Sequence, residues 1–532
     1  MEFNLADLFE AVAARVPDRT ALVCGDERRS YAELDARAGR LARHLAANGV
    51  RPGDRVAQYL YNGPHYIEAL LAALKIRAVP VNVNYRYVAG ELRSLLADAD
   101  PAALVHDAAF DARAAEAAPA APSLRCTVRA PDGYEALLDA APDGPPFPAR
   151  SGDDLYIIYT GGTTGMPKGV MWRQEDLFFA GHGGGNPGGE PAAAPGDVAD
   201  RAAATEGVVM MPAAPLMHGA AQLASFITFW AGGTLVLVPS FDAAEVLRAV
   251  ERERVMTISI VGDAMAAPLA EEVERGGRDL SSLLVVSSTG AILSGSVRAR
   301  LHKALPDRMI MDNYGSTETG LVAWGVPGST PETGLRYRFE DERITVLDAG
   351  LRPVEPGSGE VGTVARSGRV PLGYFNDPDK TAAVFVEVDG VRHTLTGDMA
   401  TVEADGTVVL RGRGSVCINT GGEKVYPEEV EAVLKGAPGV GDAVVVGLPD
   451  ARFGERVAAV VSAPEGGHAP APELLDAHVR ARLAGYKAPR LYRVVPRVQR
   501  SPSGKADYRW ARATAAEGRG PAPHQSREDA PP

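Results

Sequence analysis

Cysteine is scarce: Cys24, Cys126 and Cys417 are the three in a chain of 532 residues. None stands in CxxC or other ligand-like spacing, so neither a disulfide framework nor a zinc cluster is expected, and a reducing cytoplasm fits best. Positive charge is in deficit, with Lys+Arg 55 against Asp+Glu 68 and a net charge of −13. Sequence-independent nucleic-acid affinity comes from neutralising phosphates. A general polyanion-binding surface is therefore excluded, although a small local nucleotide site is not. A basic, apolar leader is also missing, because MEFNLADLFEAVAARVPDRT carries early acids and helical periodicity. One uncharged run stands out, Gly207 to Phe241, which has no Asp, Glu, Lys or Arg. It is long enough on paper to cross a bilayer, but Pro212, Pro215, His218, Gly219, Gly232, Gly233 and Pro239 punctuate it. It reads as a buried βαβ unit: strand GVVMM, loop, helix AQLASFITFW, Gly-Gly turn, strand TLVLVP.

What is present describes a folded protein of at least two domains, with 45% hydrophobic and 23% charged residues. Over the first 110 residues, helical stretches (Tyr31 to Gly49, His65 to Ala78) alternate with apolar strands (RVAQYL, AVPVNV, AALVHD), the pattern of parallel α/β architecture. Ala112 to Pro122 and Gly181 to Gly196 read as loops or insertions. From Arg343 to Leu410, short strands and turns predict a β-rich subdomain. A compact mixed segment follows, and EGRGPAPHQSREDAPP reads as a disordered tail.

The sharpest local feature is YIIYTGGTTGMPKGV, Tyr156 to Val170. A strand delivers Gly161, Gly162 and Gly165, interleaved with Thr160, Thr163 and Thr164, and then Lys168. Glycines let backbone N–H groups turn toward an anion, hydroxyls add donors, and the lysine adds a point charge. The arrangement suits a triphosphate tail. It is not a Walker A loop, because Met166-Pro167 separate the last glycine from Lys168 and Gly169 follows it.

This string resembles the phosphate-loop signature of the acyl-adenylate-forming enzymes: acyl-CoA synthetases, luciferases and peptide-synthetase adenylation domains. Gly162 stands where many members carry Ser. The resemblance continues in order from about Leu5 to Ala513. MPAAPLMHGAA resembles the acyl-pocket segment, with His218 and Gly219 as pocket wall or gate. STGAILSG resembles the adenine loop, with Gly290 and Ala291 against the base. In MDNYGSTETG the resemblance implies Asn313 and Tyr314 at the adenine, Thr317 at the α-phosphate and Glu318 as magnesium ligand. Asp398 would hold the ribose hydroxyls from a turn, and Arg413 the ribose or phosphate. Ser415 falls at the hinge position, where relatives often carry Asp or Lys. Gly421 and Gly422 would let the pantetheine arm pass, and Lys505 in RSPSGKADYR would bridge carboxylate and α-phosphate.

The resemblance implies an α/β fold in three parts. Residues 1–413 would form an adenylation domain of βαβ-layered subdomains plus the β-rich subdomain. Residues 414–514 would form a small mobile α+β lid, and 515–532 the tail. The implied reaction uses ATP, Mg²⁺ and CoA to turn a carboxylate into acyl-AMP and then acyl-CoA. GGTTGMPKGVMWR and CINTGGEKVYPEEVE are most similar to the bacterial branch acting on steroid side chains and long-chain fatty acids. Aromatic or medium-chain acids, a separate carrier protein as acceptor, and a homodimer stay open.

Overall fold

The computed structural model describes residues 2–142, 144, 146–161, 167–290, 293, 295–325, 335–339, 341–413, 418–425, 427–435, 437–463, 467, 469–499 and 508–517. Gly162, Thr163, Thr164, Gly165, Ala291, Ser415, Cys417 and Lys505 lie outside these residues, as does the Arg413 side chain.

Two large sheets form the body. One has seven strands, four of whose neighbouring pairs are parallel and join Val79–Asn82, Arg55–Tyr59, Ala103–Asp107, Cys126–Ala130 and Leu155–Gly161. The helices expected between the first of these strands are Tyr31–Ala47 and Pro64–Lys75. Tyr31–Ala47 starts at a capping box, in which Ser30 and Glu33 satisfy each other's backbone N–H groups. The seven-strand order ends with Pro167–Arg173 and Gly373–Tyr374, both added antiparallel.

The long uncharged run is a βαβ unit of the second sheet. Strands Val209–Pro212 and Thr234–Leu237 pair in parallel, and helix Gly219–Trp230 crosses between them. Phe226, Phe229 and Trp230 of that helix are buried in the core, which accounts for the lack of charge. Among the described residues no helix is long and apolar enough to cross a membrane.

One expectation about the elements is corrected. Ala112 to Pro122 is not simply a loop: helix Asp111–Ala117 and a 3₁₀ turn, Ala118–Ala120, run through it. Alanine is the strongest helix former, and Ala114, Ala117 and Ala121 are small enough to pack with Phe110, Leu92 and Leu96. The β-rich subdomain expected from Arg343 to Leu410 is present, as part of a larger sheet. Its strands Ile344–Leu347, Gly362–Ser367, Val391–Val402 and Val408–Arg413 continue a 14-stranded sheet, because Leu335–Arg338 pairs with Val408–Arg413 and carries the ladder across. A small core of its own (Val346, Val364, Ala400, Val408) still lies beneath it.

The C-terminal unit has a five-stranded sheet. Alternation along Asp442–Asp450 and Gly454–Ser462 sends Val445, Val457 and Val461 to one face, under helices Pro427–Lys435 and Pro472–Arg480. Val444, Val446 and Val460 go to the other face, under helix Tyr508–Ala516. That helix runs two residues beyond the expected domain end at 514. Among the described residues Cys24 and Cys126 are free thiols, and burial pushes both up to about 11.

Candidate active site

A cavity of about 640 Å³ opens where the two body sheets and the C-terminal unit meet. The phosphate-loop strand Leu155–Gly161 pairs antiparallel with Pro167–Arg173, and Thr160 stands opposite Lys168. The two strands form a hairpin paired as far as Gly161 opposite Pro167, and Thr160 lines the cavity. Lys168 forms an ion pair with Asp377 at 2.6 Å and lies 5.4 Å from the centre of the Tyr374 ring. The hydrogen bond from Lys168, against a smaller cost of burial, holds the Asp377 carboxyl below its usual range. The Tyr374 hydroxyl in turn donates to Glu318 Oε1 at 3.0 Å. Asp377 and Tyr374 were not legible in the sequence motifs. They arrive because strand Gly373–Tyr374 pairs with the strand that follows the phosphate loop.

Thr317 and Glu318 occupy the turn between strands Met309–Ser316 and Gly320–Gly325, which pair antiparallel as a hairpin. Trp172 Nε1 donates to the Thr317 carbonyl at 2.9 Å and fixes this turn against the phosphate hairpin. Gly219 sits close to Ile158 and to this turn, since a Cβ on it would lie 3.2 Å from Ile158 and 3.7 Å from Thr317 Oγ1. Gly290, with φ +78°, and Asn313 also line the cavity. Asn313 Nδ2 donates to Ser287 Oγ at 2.7 Å, while its buried Oδ1 has no partner among the described residues. A buried acceptor in this position suits the amino group of a purine.

Strand alternation separates Tyr314 from Asn313. Tyr314 does not line the cavity; its hydroxyl donates to Asp398 Oδ2 at 2.8 Å. Asp398 does not sit in a turn as expected. It lies within strand Val391–Val402, opposite Arg413, and Gly397 at φ +74° falls between Leu395 and Met399, where the pairing with Gly362–Ser367 shifts register.

The C-terminal unit reaches the cavity through one hairpin. Gly421 and Gly422, at φ +63° and +82°, connect strands Ile418–Thr420 and Glu423–Val425. Gly422 lines the cavity, and a Cβ on it would lie 2.3 Å from Val261 Cγ1, so the hairpin can approach this closely only with glycine. Glu423, the next residue, pairs with Arg86 and lies 3.4 Å from His218 Nε2. Burial alone would raise the Glu423 carboxyl, but His218, Arg86 and Lys487 outweigh it and hold it below the usual range. His218, at the N-cap of helix Gly219–Trp230, is therefore a cavity-wall residue in contact with the C-terminal unit. Lys487 pairs with Glu91 at 2.9 Å, and Asn84 Nδ2 lies 3.4 Å from the Tyr486 hydroxyl.

Among the described residues no three His, Cys, Asp or Glu side chains gather to hold a metal ion. A cation at Glu318 would draw its remaining oxygen ligands from a bound phosphate, as Mg²⁺ commonly does. The site thus combines an anion-binding hairpin, a facing threonine–glutamate turn, a mostly apolar chamber and a second unit at its mouth. That combination can bring a nucleotide phosphate and a hydrophobic acid together.

Residues 9–375 match the model of the AMP-binding enzyme family, and 429–505 match the AMP-binding enzyme C-terminal domain. The chain is 45% identical over 529 residues to a medium/long-chain-fatty-acid–CoA/3-oxocholest-4-en-26-oate–CoA ligase of Mycobacterium marinum, covering 96% of each. It is 44% identical over 533 residues to a 3-oxocholest-4-en-26-oate–CoA ligase of Rhodococcus rhodochrous, again covering 96% of each. Among solved structures it is similar to the amide bond synthetase McbA of Marinactinospora thermotolerans, with TM-score 0.79, 27% identity and coverage of 95% and 99%. An o-succinylbenzoate CoA synthetase of Bacillus subtilis, bound to a product analogue, gives TM-score 0.79, 26% identity and coverage of 95% and 98%. A family model spanning most of the body and CoA ligases matched nearly end to end leave one assignment: the chain belongs to the AMP-binding enzymes, among their acyl-CoA ligases.

Proposed function

We propose that the chain activates long-chain fatty acids or steroid side-chain carboxylates with ATP and Mg²⁺ and transfers the acyl group to CoA. The observation that carries this reading is the cavity itself. It begins at Thr317 and Gly290 and continues along Gly219, Ala220, Leu223, Ala224 and Ile227 of one helix, a wall with no charged side chain. The names of the relatives in Mycobacterium marinum and Rhodococcus rhodochrous support the same substrate class.

A carboxylate acylates poorly because oxide would have to leave. Its oxygen instead attacks the α-phosphorus of ATP, pyrophosphate departs, and acyl-AMP forms. Two anions must meet, so the protein has to supply positive charge and hydrogen-bond donors where negative charge gathers. In this reading Lys168 exchanges Asp377 for the β- and γ-phosphates, assisted by Thr160, Gly161, Gly162, Thr163, Thr164 and Gly165. Glu318 holds Mg²⁺, whose chemistry is to neutralise phosphate charge. Thr317 faces the α-phosphate, Asn313, Gly290 and Ala291 receive the base, and Asp398 and Arg413 the ribose. Lys505 bridges the carboxylate and the α-phosphate.

The thiol of CoA then attacks the acyl carbon and AMP leaves. Residues 414–514 act as the lid for this step, turning about Ser415 so that Gly421, Gly422 and His218 border the entry path. ATP-dependent CoA consumption across fatty, steroid and aromatic carboxylates tests the proposal. Long-chain and steroid acids should be consumed fastest. Consumption restricted to small aromatic acids would overturn the substrate assignment.

A further inference from the structure

The cavity has a direction. Gly219 lies beside Thr317 at the chemical end, and Ile227, the last wall residue of the same helix, lies eight residues on. At about 1.5 Å per residue the far end is roughly 12 Å away. His182 stands at that level. Its ring is 5.2 Å from Phe226 and 6.0 Å from Trp230, the residues that border the wall stripe on that helix. It is fully buried, and its two sequence neighbours, Gly181 and Gly183, both line the cavity. The imidazole is thus one residue behind the wall, flanked by positions without side chains to screen it.

Three polar atoms there are unused. Among the described residues, neither ring nitrogen of His182 and not the Trp230 Nε1 has a hydrogen-bond partner. Buried polar groups are ordinarily paired, so three orphans within one aromatic box call for an explanation. Burial pushes His182 down to about 3, so the ring is neutral at working pH, with one nitrogen donating and one accepting. The indole can only donate. The oxygen that best matches two such donors is a carbonyl. The following Gly184 and Gly185, at φ +60° and +77°, are closely packed, a Cβ on them lying 2.4 Å from Pro191 and 3.2 Å from Phe178 respectively, and so hold the segment that carries His182 in place. Gly181 cannot be enlarged freely, since a Cβ on it would meet Leu177 and Leu223 at 3.1 Å.

We propose that His182 and Trp230 form a polar end-stop that receives a carbonyl oxygen at the end of the acid remote from its carboxylate. The enzyme then prefers acids with such an oxygen over otherwise identical hydrocarbon acids. This inference rests on the proposed acyl-CoA ligase reading and narrows it to oxygenated polycyclic acids. The relatives' substrate name, 3-oxocholest-4-en-26-oate, has its oxo group and its carboxylate at opposite ends of the skeleton.

The test compares acyl-CoA formation from a 3-oxo steroid side-chain acid and from its 3-deoxo counterpart, with hexadecanoate as a third substrate, on the full chain. The wild type should favour the oxo acid by about tenfold in kcat/KM, the usual effect of one matched hydrogen bond. In His182→Phe that ratio should fall to about one, and Trp230→Phe should lower it in the same direction. Both replacements keep the aromatic packing, and a ratio measured within one protein does not depend on how much of it folds. A wild-type ratio of one, or a ratio that survives His182→Phe, overturns the end-stop. Wild-type turnover of hexadecanoate in either case would leave the ligase reading standing, whereas no thioester from any of the three acids would overturn both.

Discussion

The body and the C-terminal unit handle their charges differently. Deep in the body, Lys75 is 3% exposed and pairs with Glu10 at 2.6 Å and Asp35 at 2.7 Å, while Arg150 closes the network onto Glu10 and Asp7. Burial alone would raise the Glu10 carboxyl, but Arg150 and Lys75 outweigh it and hold it low. Across the boundary the pair Lys487–Glu91 is just as buried, yet burial dominates and the Glu91 carboxyl stays above its usual value. The first network is surrounded by the main apolar core, and within it burial still outweighs Arg150 at Asp7, whose carboxyl stays above its usual value. The second is one of a few polar contacts, with Arg86–Glu423, His218–Glu423 and Asn84–Tyr486. What sets the boundary apart is that these contacts are polar, whereas the body network is enclosed by apolar core, and a polar boundary lets two parts separate and meet again. In the proposed reading the body holds the nucleotide and the C-terminal unit is the part that moves.

Three perturbations sharpen this contrast. Lys505→Ala removes the charge assigned to the meeting of carboxylate and α-phosphate. Adenylation, followed by acid-dependent pyrophosphate exchange, should slow by about 10²–10³-fold. Gly422→Val acts on the boundary instead. Its Cβ would need the space of Val261 and a backbone at φ +82°, and overpacking of this kind costs about 1–3 kcal/mol. Thioester formation from pre-made acyl-AMP should fall by roughly 5–150-fold, with pyrophosphate exchange preserved.

The smallest effect concerns Glu423. Its carboxyl is held low only while the units touch, so its contribution to docking is present above the usual glutamate value of about 4.3 and is lost as pH falls through the lowered one. The distance between a probe on the body and one on the C-terminal unit should stay constant from neutral pH to about pH 4 and lengthen below it. Glu423→Gln should abolish that acid-side change and slow thioester formation by roughly two- to fivefold at neutral pH.

Motifs local in sequence were legible before the fold was seen. The βαβ reading of Gly207 to Phe241 needed only its punctuation. What the sequence concealed are partnerships between distant segments. Lys168 finds Asp377, 209 residues away, and Glu318 finds Tyr374, because a two-residue strand joins the phosphate hairpin. No local pattern announces such a strand. Asp398 was assigned by the family resemblance and expected in a turn, but a strand carries it, at the register shift in its pairing with Gly362–Ser367. The alanine-rich helix at Asp111–Ala117 was hidden by nearby prolines, although alanine favours helix. His182 lay within a segment read as a loop, and nothing short of its buried surroundings separates it from a spacer.

The account rests on a division of labour between the two units, and the most direct test runs both half-reactions on Lys505→Ala and Gly422→Val side by side. Lys505→Ala should lose pyrophosphate exchange and still convert supplied acyl-AMP to thioester, while Gly422→Val should do the reverse. If both half-reactions fall together in either variant, the two steps are not divided between these residues and the central claim fails.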